Sequence, residues 1–156
     1  MLAKLEPRHR AKLADLLAAT PEFTRPDVDV ALELIDCGLA EPTSDDYRFL
    51  IREEAEEILG YACFGATPMT EGCFDLYWLV VERKARRAGV ARELMAAVER
   101  QLAGEGARII RVETAGIESY AAARGFYQRI GYGEAARLRD FYWPGNDLHI
   151  FTKYLG

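Results

Sequence analysis

The chain has 156 residues, with 25 acidic and 20 basic side chains and a net charge of −5, so no nucleic-acid partner is expected, since that normally needs a basic face. Half of the residues are apolar and 29% are charged, the balance of one globular domain over residues 1–156 rather than of a disordered chain. Apolar runs such as Leu76–Val81 are too short to span a membrane and the opening MLAKLEPRHR holds no signal-peptide core, which predicts no membrane partner and a cytoplasmic location.

Lys4–Ala19 carries apolar residues at helical spacing (Leu5, Leu13, Leu16, Leu17) and predicts a first helix ending before Thr20-Pro21. Thr24-Arg25-Pro26-Asp27 reads as a helix start with proline in the first turn, and the helix is expected to end by Gly38. Strands follow at Tyr47–Arg52 and Ile58–Ala66, joined by an acidic turn at Glu53–Glu57. Phe74–Val81 is almost wholly apolar from Leu76 onward and predicts a central strand buried on both faces. Gly89–Leu102 is an amphipathic helix with Val90, Leu94, Val98 and Leu102 on one stripe, ended by Gly104 and Gly106. A strand at Ile109–Thr114, a helix at Tyr120–Ile130 and strands at Gly131–Leu138 and Leu148–Tyr154 complete the order ααβββαβαββ, a mixed α/β domain. Cysteines 37, 63 and 73 show no CxxC spacing and have only His9 and His149 as further soft ligands. Buried free thiols are expected, and no metal site.

The stretch RRAGVARELM, residues 86–95, places two arginines and small residues at a helix start that follows a strand. A helix N-terminus offers unpaired N–H groups and about half a positive charge, so it binds anions through backbone. Ala88, Gly89 and Ala91 would let a diphosphate approach, and Arg86 and Arg87 add charge. No GxxxxGK[ST] loop occurs. GYGEAA at 131–136 fits G-x-G-x-x-A but follows a helix and enters a strand, the reverse of a dinucleotide fingerprint.

These residues resemble the GNAT superfamily of acyl-CoA-dependent N-acetyltransferases. Its cofactor-loop signature, Q/R-x-x-G-x-G/A, stands here as Arg86-Arg87-Ala88-Gly89-Val90-Ala91 after a strand closing on Val80-Val81. A second signature, A-x-x-F/Y-Y-x-x-x-G-F/Y, stands as Ala123-Arg124-Gly125-Phe126-Tyr127-Gln128-Arg129-Ile130-Gly131-Tyr132. The resemblance covers Tyr47 to the C-terminus. The chain departs from the usual pattern at Arg83, where proline is common, and at Tyr120, where an asparagine often helps hold the cofactor.

The resemblance implies a single GNAT-like domain with a central, mixed but mostly antiparallel sheet flanked by helices. It implies acetyl-CoA as acyl donor, no metal, and direct attack of a primary amine on the thioester in a ternary complex. Cofactor contacts would come from Val80, Val81, Arg86, Arg87, Ala88, Gly89, Val90, Ala91 and Tyr120. Tyr127 matches the general acid for the leaving thiolate; a thiol near ~8.5 and a phenol near ~10 make that transfer uphill by only about 2 kcal/mol. Two carboxylates are candidate bases, Asp75 on the central strand and Glu113 at the end of IIRVET, either able to work through a water. A backbone N–H in Leu79–Val81 would stabilise the oxyanion. Phe126 and Ile130 are expected to face the sheet and Tyr127 the thioester.

The amine pocket should be built by the loop Thr20–Arg25 and the loop Asp140–Asp147 (DFYWPGND). The acceptor would be a small molecule, an amino acid or a peptide N-terminus. A protein acetyltransferase acting on a lysine or N-terminus of a specific partner is the same-fold alternative, and a non-catalytic acetyl-CoA sensor is the alternative of another class. A homodimer is common among proteins that look like this, and the oligomeric state is open at this stage.

Overall fold

The computed structural model describes all 156 residues. In chain order it contains β1 (Leu2–Ala3), α1 (Arg10–Ala18), α2 (Arg25–Ala40), β2 (Arg48–Glu54), β3 (Glu57–Ala66), β4 (Cys73–Val81), α3 (Val90–Gly104), β5 (Ile109–Ala115), α4 (Ala121–Arg129), β6 (Gly133–Trp143) and β7 (Asn146–Tyr154). The strands form one sheet in the order β1-β2-β3-β4-β5-β7-β6. Only β4 and β5 pair in parallel, so the expected mixed, mostly antiparallel sheet is the one observed. No helix is long and apolar enough to cross a membrane.

The N-terminus departs from expectation. Leu2 and Ala3 pair with Arg52 and Ile51 at the sheet edge, and the Met1 ammonium donates to the Glu53 carbonyl at 3.0 Å. Pro7 opens a short 3-10 turn over Pro7–His9, because proline fits a helix's first turn but not its interior, so no helix runs back to Lys4 and α1 starts only at Arg10. The start of α2 is as read: Thr24 and Asp27 form a reciprocal capping box with proline in the first turn. The helix runs past Gly38 to Ala40. Gly38 is there for packing, since a Cβ would lie 2.4 Å from the Phe49 ring.

Two cores lie on opposite faces of the sheet. Leu13, Leu17, Ala31 and Ile35 from α1 and α2 pack on Ile51, Tyr61, Cys63 and Val80. Val90, Leu94, Val98 and Leu102, the stripe of α3, pack with Tyr127 of α4 on Ala62, Phe64, Ile110 and Phe151. The strand buried on both faces is β3, where Gly60–Gly65 is buried throughout. β4 is not: Tyr77 is 37% exposed and its neighbours Trp78 and Leu79 are half-buried. Of the three free cysteines only Cys63 is buried, while Cys37 is exposed and Cys73 intermediate.

The β2–β3 hairpin turns on Ala55 and Glu56, both at positive φ (48° and 67°), the twist a two-residue hairpin turn requires. The segment Asp140–Asp147 is more strand than loop. β6 runs to Trp143, which pairs with Asn146 across the Pro144-Gly145 turn. The ladder slips between Leu138 and Trp143. There the Asp147 carboxylate accepts from the Asp140 N–H (2.9 Å) and from Arg137 Nε (2.7 Å), which fixes the aromatic tip Phe141-Tyr142-Trp143. GYGEAA follows α4 and enters β6, as its position in the chain implied.

Candidate active site

The site begins where two strands part. The β4–β5 ladder holds Cys73–Leu76 against Ile109–Val112 and ends there, although β4 continues to Val81 and β5 to Ala115. On its other edge β4 stays paired with β3 but carries a bulge: Trp78 opposes Cys63 and Leu76 opposes Phe64, leaving Tyr77 between them. A bulge bends the strand and re-aims its side chains. The result is a cleft of about 440 Å³ between Tyr77–Leu79 and Glu113–Ala115. Its far walls come from Glu22–Thr24 before α2, Tyr120 and Ala123 at the start of α4, and Tyr142-Trp143 at the β6 tip. Both loops expected to shape an amine pocket therefore reach it.

Three expected catalytic side chains line this cleft: Tyr127, Asp75 and Glu113. Tyr127 is the one buried residue of α4, while Phe126 and Ile130, expected to face the sheet, are only half-buried. Burial alone pushes its phenol well above the ordinary value, with no hydrogen bond or neighbouring charge contributing. Its ring sits edge-on to Phe126 and Tyr132, with centroids 5.5 and 5.7 Å away. Arg124 donates to the Ala115 and Ile117 carbonyls at 2.6 and 3.0 Å, stapling α4 to the end of β5. The Tyr132 hydroxyl donates to Glu99 of α3 at 3.0 Å.

The two carboxylates differ. Asp75 is buried and accepts from Arg111 Nε at 2.6 Å; the two residues are Cα partners one rung before the ladder ends. Glu113 is exposed, with only Arg111 Nη1 at 3.9 Å. Arg111, overlooked in the sequence, is thus the strand-to-strand clamp at the apex of the fork. The alternation of IIRVET, which places Arg111 and Glu113 on one face, was the available signal. Thr114, also overlooked, is buried in the cleft wall with a hydroxyl that has no partner.

The anion cradle lies beside this fork. Gly89 takes φ +83° as N-cap of α3, no side chain caps the helix, and nothing lies within 4 Å of where its Cβ would be. Open, uncapped N–H groups are the donors a diphosphate needs. Ala88 is exposed and Ala91 half-buried, whereas Val90 packs into the core. Arg87 is exposed at φ +68°. Arg86 does not point freely at this cradle: it makes a two-point ion pair with Glu22 at 2.8 and 3.1 Å, which holds the Glu22 carboxyl below its usual range. Val80 is buried toward α1–α2, and Val81 is half-buried on the α3 side. Tyr120 lines the cleft with its phenol pushed up to about 12, by burial first and then by Asp27 and Glu22.

The model of the acetyltransferase (GNAT) family matches residues 10–132. A crystal structure from Desulfovibrio desulfuricans, of a protein assigned to the GNAT acetyltransferases, superposes with a TM-score of 0.96 at 34% identity, covering 100% of this chain and 99% of that one. The ribosomal-protein-S18-alanine N-acetyltransferase from Escherichia coli shares the fold at a TM-score of 0.80 and 16% identity, over 100% and 94% of the two chains. An aminoglycoside 6′-N-acetyltransferase complexed with coenzyme A does so at 0.77 and 16%, over 100% and 97%. Among curated proteins the sequence finds no match. The match over most of the chain, the parted strands and the uncapped α3 together make this chain a member of the GNAT acetyltransferase family.

Proposed function

We propose that this protein transfers an acetyl group from acetyl-CoA to a primary amine held in the cleft between β4 and β5. One observation carries the reading: Tyr127 and the open carboxylate of Glu113 line the same cleft at the fork, next to the uncapped N-terminus of α3. The bound cofactor supplies an acetyl thioester. The backbone N–H groups of Gly89, Val90 and Ala91 fit its diphosphate, while that of Ala88 already donates to the Ala85 carbonyl, and the β5-facing edge of Leu79–Val81, which no strand pairs, fits its extended arm.

The chain's own groups then have distinct tasks. Glu113, open to the cleft, takes a proton from the incoming ammonium, directly or through a water. A backbone N–H on the unpaired edge of β4 donates to the carbonyl oxygen as charge develops on it, at no cost of reorganisation. As the C–N bond forms and the C–S bond breaks, the amine gives up a second proton to water and the sulfur receives one from the protein, whose phenolate then regains a proton from solvent. Tyr127 supplies that proton; burial also makes its hydroxyl a weaker acid than a free phenol, so the transfer is more uphill than the ordinary thiol–phenol gap of about 2 kcal/mol. Asp75 and Arg111 hold the fork in shape.

The test is thiol release from acetyl-CoA across free amino acids, polyamines, aminoglycosides and peptide N-termini. Acceptor-dependent release with at least one class, abolished in Gly89→Asp, supports the reading. Wild-type binding of acetyl-CoA by Gly89→Asp would remove the cradle from it.

A further inference from the structure

The charges around the cleft are unevenly matched. Glu22, Asp27, Asp75 and Glu113 line it, against Arg111 alone. Two of those acids already have cations: Glu22 pairs with Arg86 and Asp75 with Arg111. The other two have no cation in close contact. Asp27 accepts only from the Thr24 N–H (2.8 Å) and hydroxyl (2.9 Å), both neutral donors. Glu113 has only the 3.9 Å contact to an Arg111 whose Nε is taken by Asp75.

These two acids, neither closely paired with a cation, stand on different elements, α2 and β5, and line the cleft together with Tyr142. Burial, Glu113 and Asp27 together push the Tyr142 phenol upward. Asp27 acts on Tyr120 as well. Tyr120, Tyr142 and Trp143 add aromatic rings to the cleft lining, and such π faces attract ammonium groups. An acceptor bearing a carboxylate finds no free cation on these walls.

Taking the acetyl-transfer reading as its basis, we propose that the acceptor is an amine with a second cationic centre, a linear diamine or a diamino sugar, its reacting nitrogen at Glu113 and its distal ammonium at Asp27. One end loses a proton and is acetylated. The other stays charged and sets orientation.

Three acceptors of equal chain length isolate that second charge: butane-1,4-diamine, butylamine and 4-aminobutanoate. Thiol release should show kcat/KM for the diamine at least tenfold above butylamine, with 4-aminobutanoate lowest. Raising the salt from about 0.05 to 0.5 M should shrink the margin, as screening requires. Asp27→Asn keeps an oxygen for the Thr24 N–H and so the cap on α2; in this variant the diamine-to-butylamine ratio should fall several-fold. A diamino sugar run beside the diamine shows which source fits better, and preference for either over butylamine supports the proposal. Equal kcat/KM for diamine and butylamine, or an unchanged ratio in Asp27→Asn, overturns it and leaves acetyl transfer standing. Calorimetry on the CoA-loaded protein separates the two readings. If no acceptor releases thiol while the diamine binds tenfold tighter than butylamine, the dicationic site stands and the transfer reading falls; if diamine and butylamine bind alike, the site is overturned.

Discussion

Arg86 and Glu22, 64 residues apart, are joined by two hydrogen bonds of 2.8 and 3.1 Å, tying the loop that opens α3 to the wall of the acceptor cleft. An anion arriving at the α3 N-terminus competes with Glu22 for the same guanidinium. Arg86→Ala should therefore raise KM for acetyl-CoA several-fold, and Glu22→Gln, which frees the guanidinium, should lower Kd for coenzyme A. Both side chains are partly solvent-exposed, so the pair contributes at most about 1 kcal/mol to stability and Tm should hardly change in either variant. Calorimetric titration of coenzyme A into the three proteins checks this; identical Kd values would make the pair a tether between loops and nothing more.

The pairing of Asp75 with Arg111 divides the candidate bases by task. Asp75→Asn weakens a charge-assisted hydrogen bond at the last rungs before the strands part, which should cost about 1 kcal/mol or more and lower Tm by roughly 3 °C. Glu113→Gln touches no such contact and should leave Tm unchanged, while kcat/KM falls most steeply at low pH, where more of the amine is protonated. pH–rate profiles and melting curves of both variants test the division. Rate loss in Asp75→Asn with Tm unchanged, and none in Glu113→Gln, would exchange the roles.

What the sequence made legible was local. The α3 stripe, the capping box at Thr24 and the two signatures depend on residues within a turn or two of one another, and the structure places each where its spacing implied. What it did not show is non-local. Whether β4 is buried on both faces depends on where its ladder with β5 stops, and that is fixed by the Asp75–Arg111 pair and the bulge at Tyr77 rather than by the apolarity of LYWLVV. Tyr127 is the residue of α4 that enters the core, where the helix is also tied down by Arg124 and the Tyr132–Glu99 bond, contacts that helical periodicity cannot report. Arg86 looked like free positive charge because its partner lies 64 positions upstream.

Stability in acid should depend on Glu53. Its buried carboxylate receives Arg8 Nη1 and Nη2 at 3.0 and 2.8 Å and lies beside His9 Nε2 at 3.3 Å. The forked guanidinium holds its pKa down at about 2, against an ordinary 4.5. A folded-state value below the unfolded one means the contribution is complete above about 4.5 and is lost as pH falls toward about 2. Glu53→Gln should therefore lower Tm at pH 7 and narrow the gap from wild type as pH is taken from 5 to about 2. A gap that stays constant over that range would show that the carboxylate's charge adds nothing to folding.

Tyr127→Phe keeps the ring that packs between Phe126, Tyr132 and Phe151 and removes only the hydroxyl. No protein hydrogen bond or charge contributes to the phenol's upward shift, so the deletion leaves no partner unsatisfied and Tm should move little. If the hydroxyl protonates the departing sulfur, kcat should fall on the order of 100-fold while KM for both substrates stays near wild type. A rise in KM for acetyl-CoA with kcat preserved would make Tyr127 a clamp on the cofactor instead. Thermal shift with acetyl-CoA alone separates the two, since a proton donor leaves ligand stabilisation as in wild type and a clamp diminishes it. The alkaline side offers an independent check. Burial raises the phenols of Tyr61, Tyr127 and Tyr132 together, so the stability they confer is complete below the unfolded tyrosine value near ~10 and is lost above it. Tyr127→Phe should accordingly resist unfolding better than wild type as pH climbs past about 10. A mutant of wild-type activity would end the general-acid role, and Tyr120, which lines the same cleft, would be the next hydroxyl to remove.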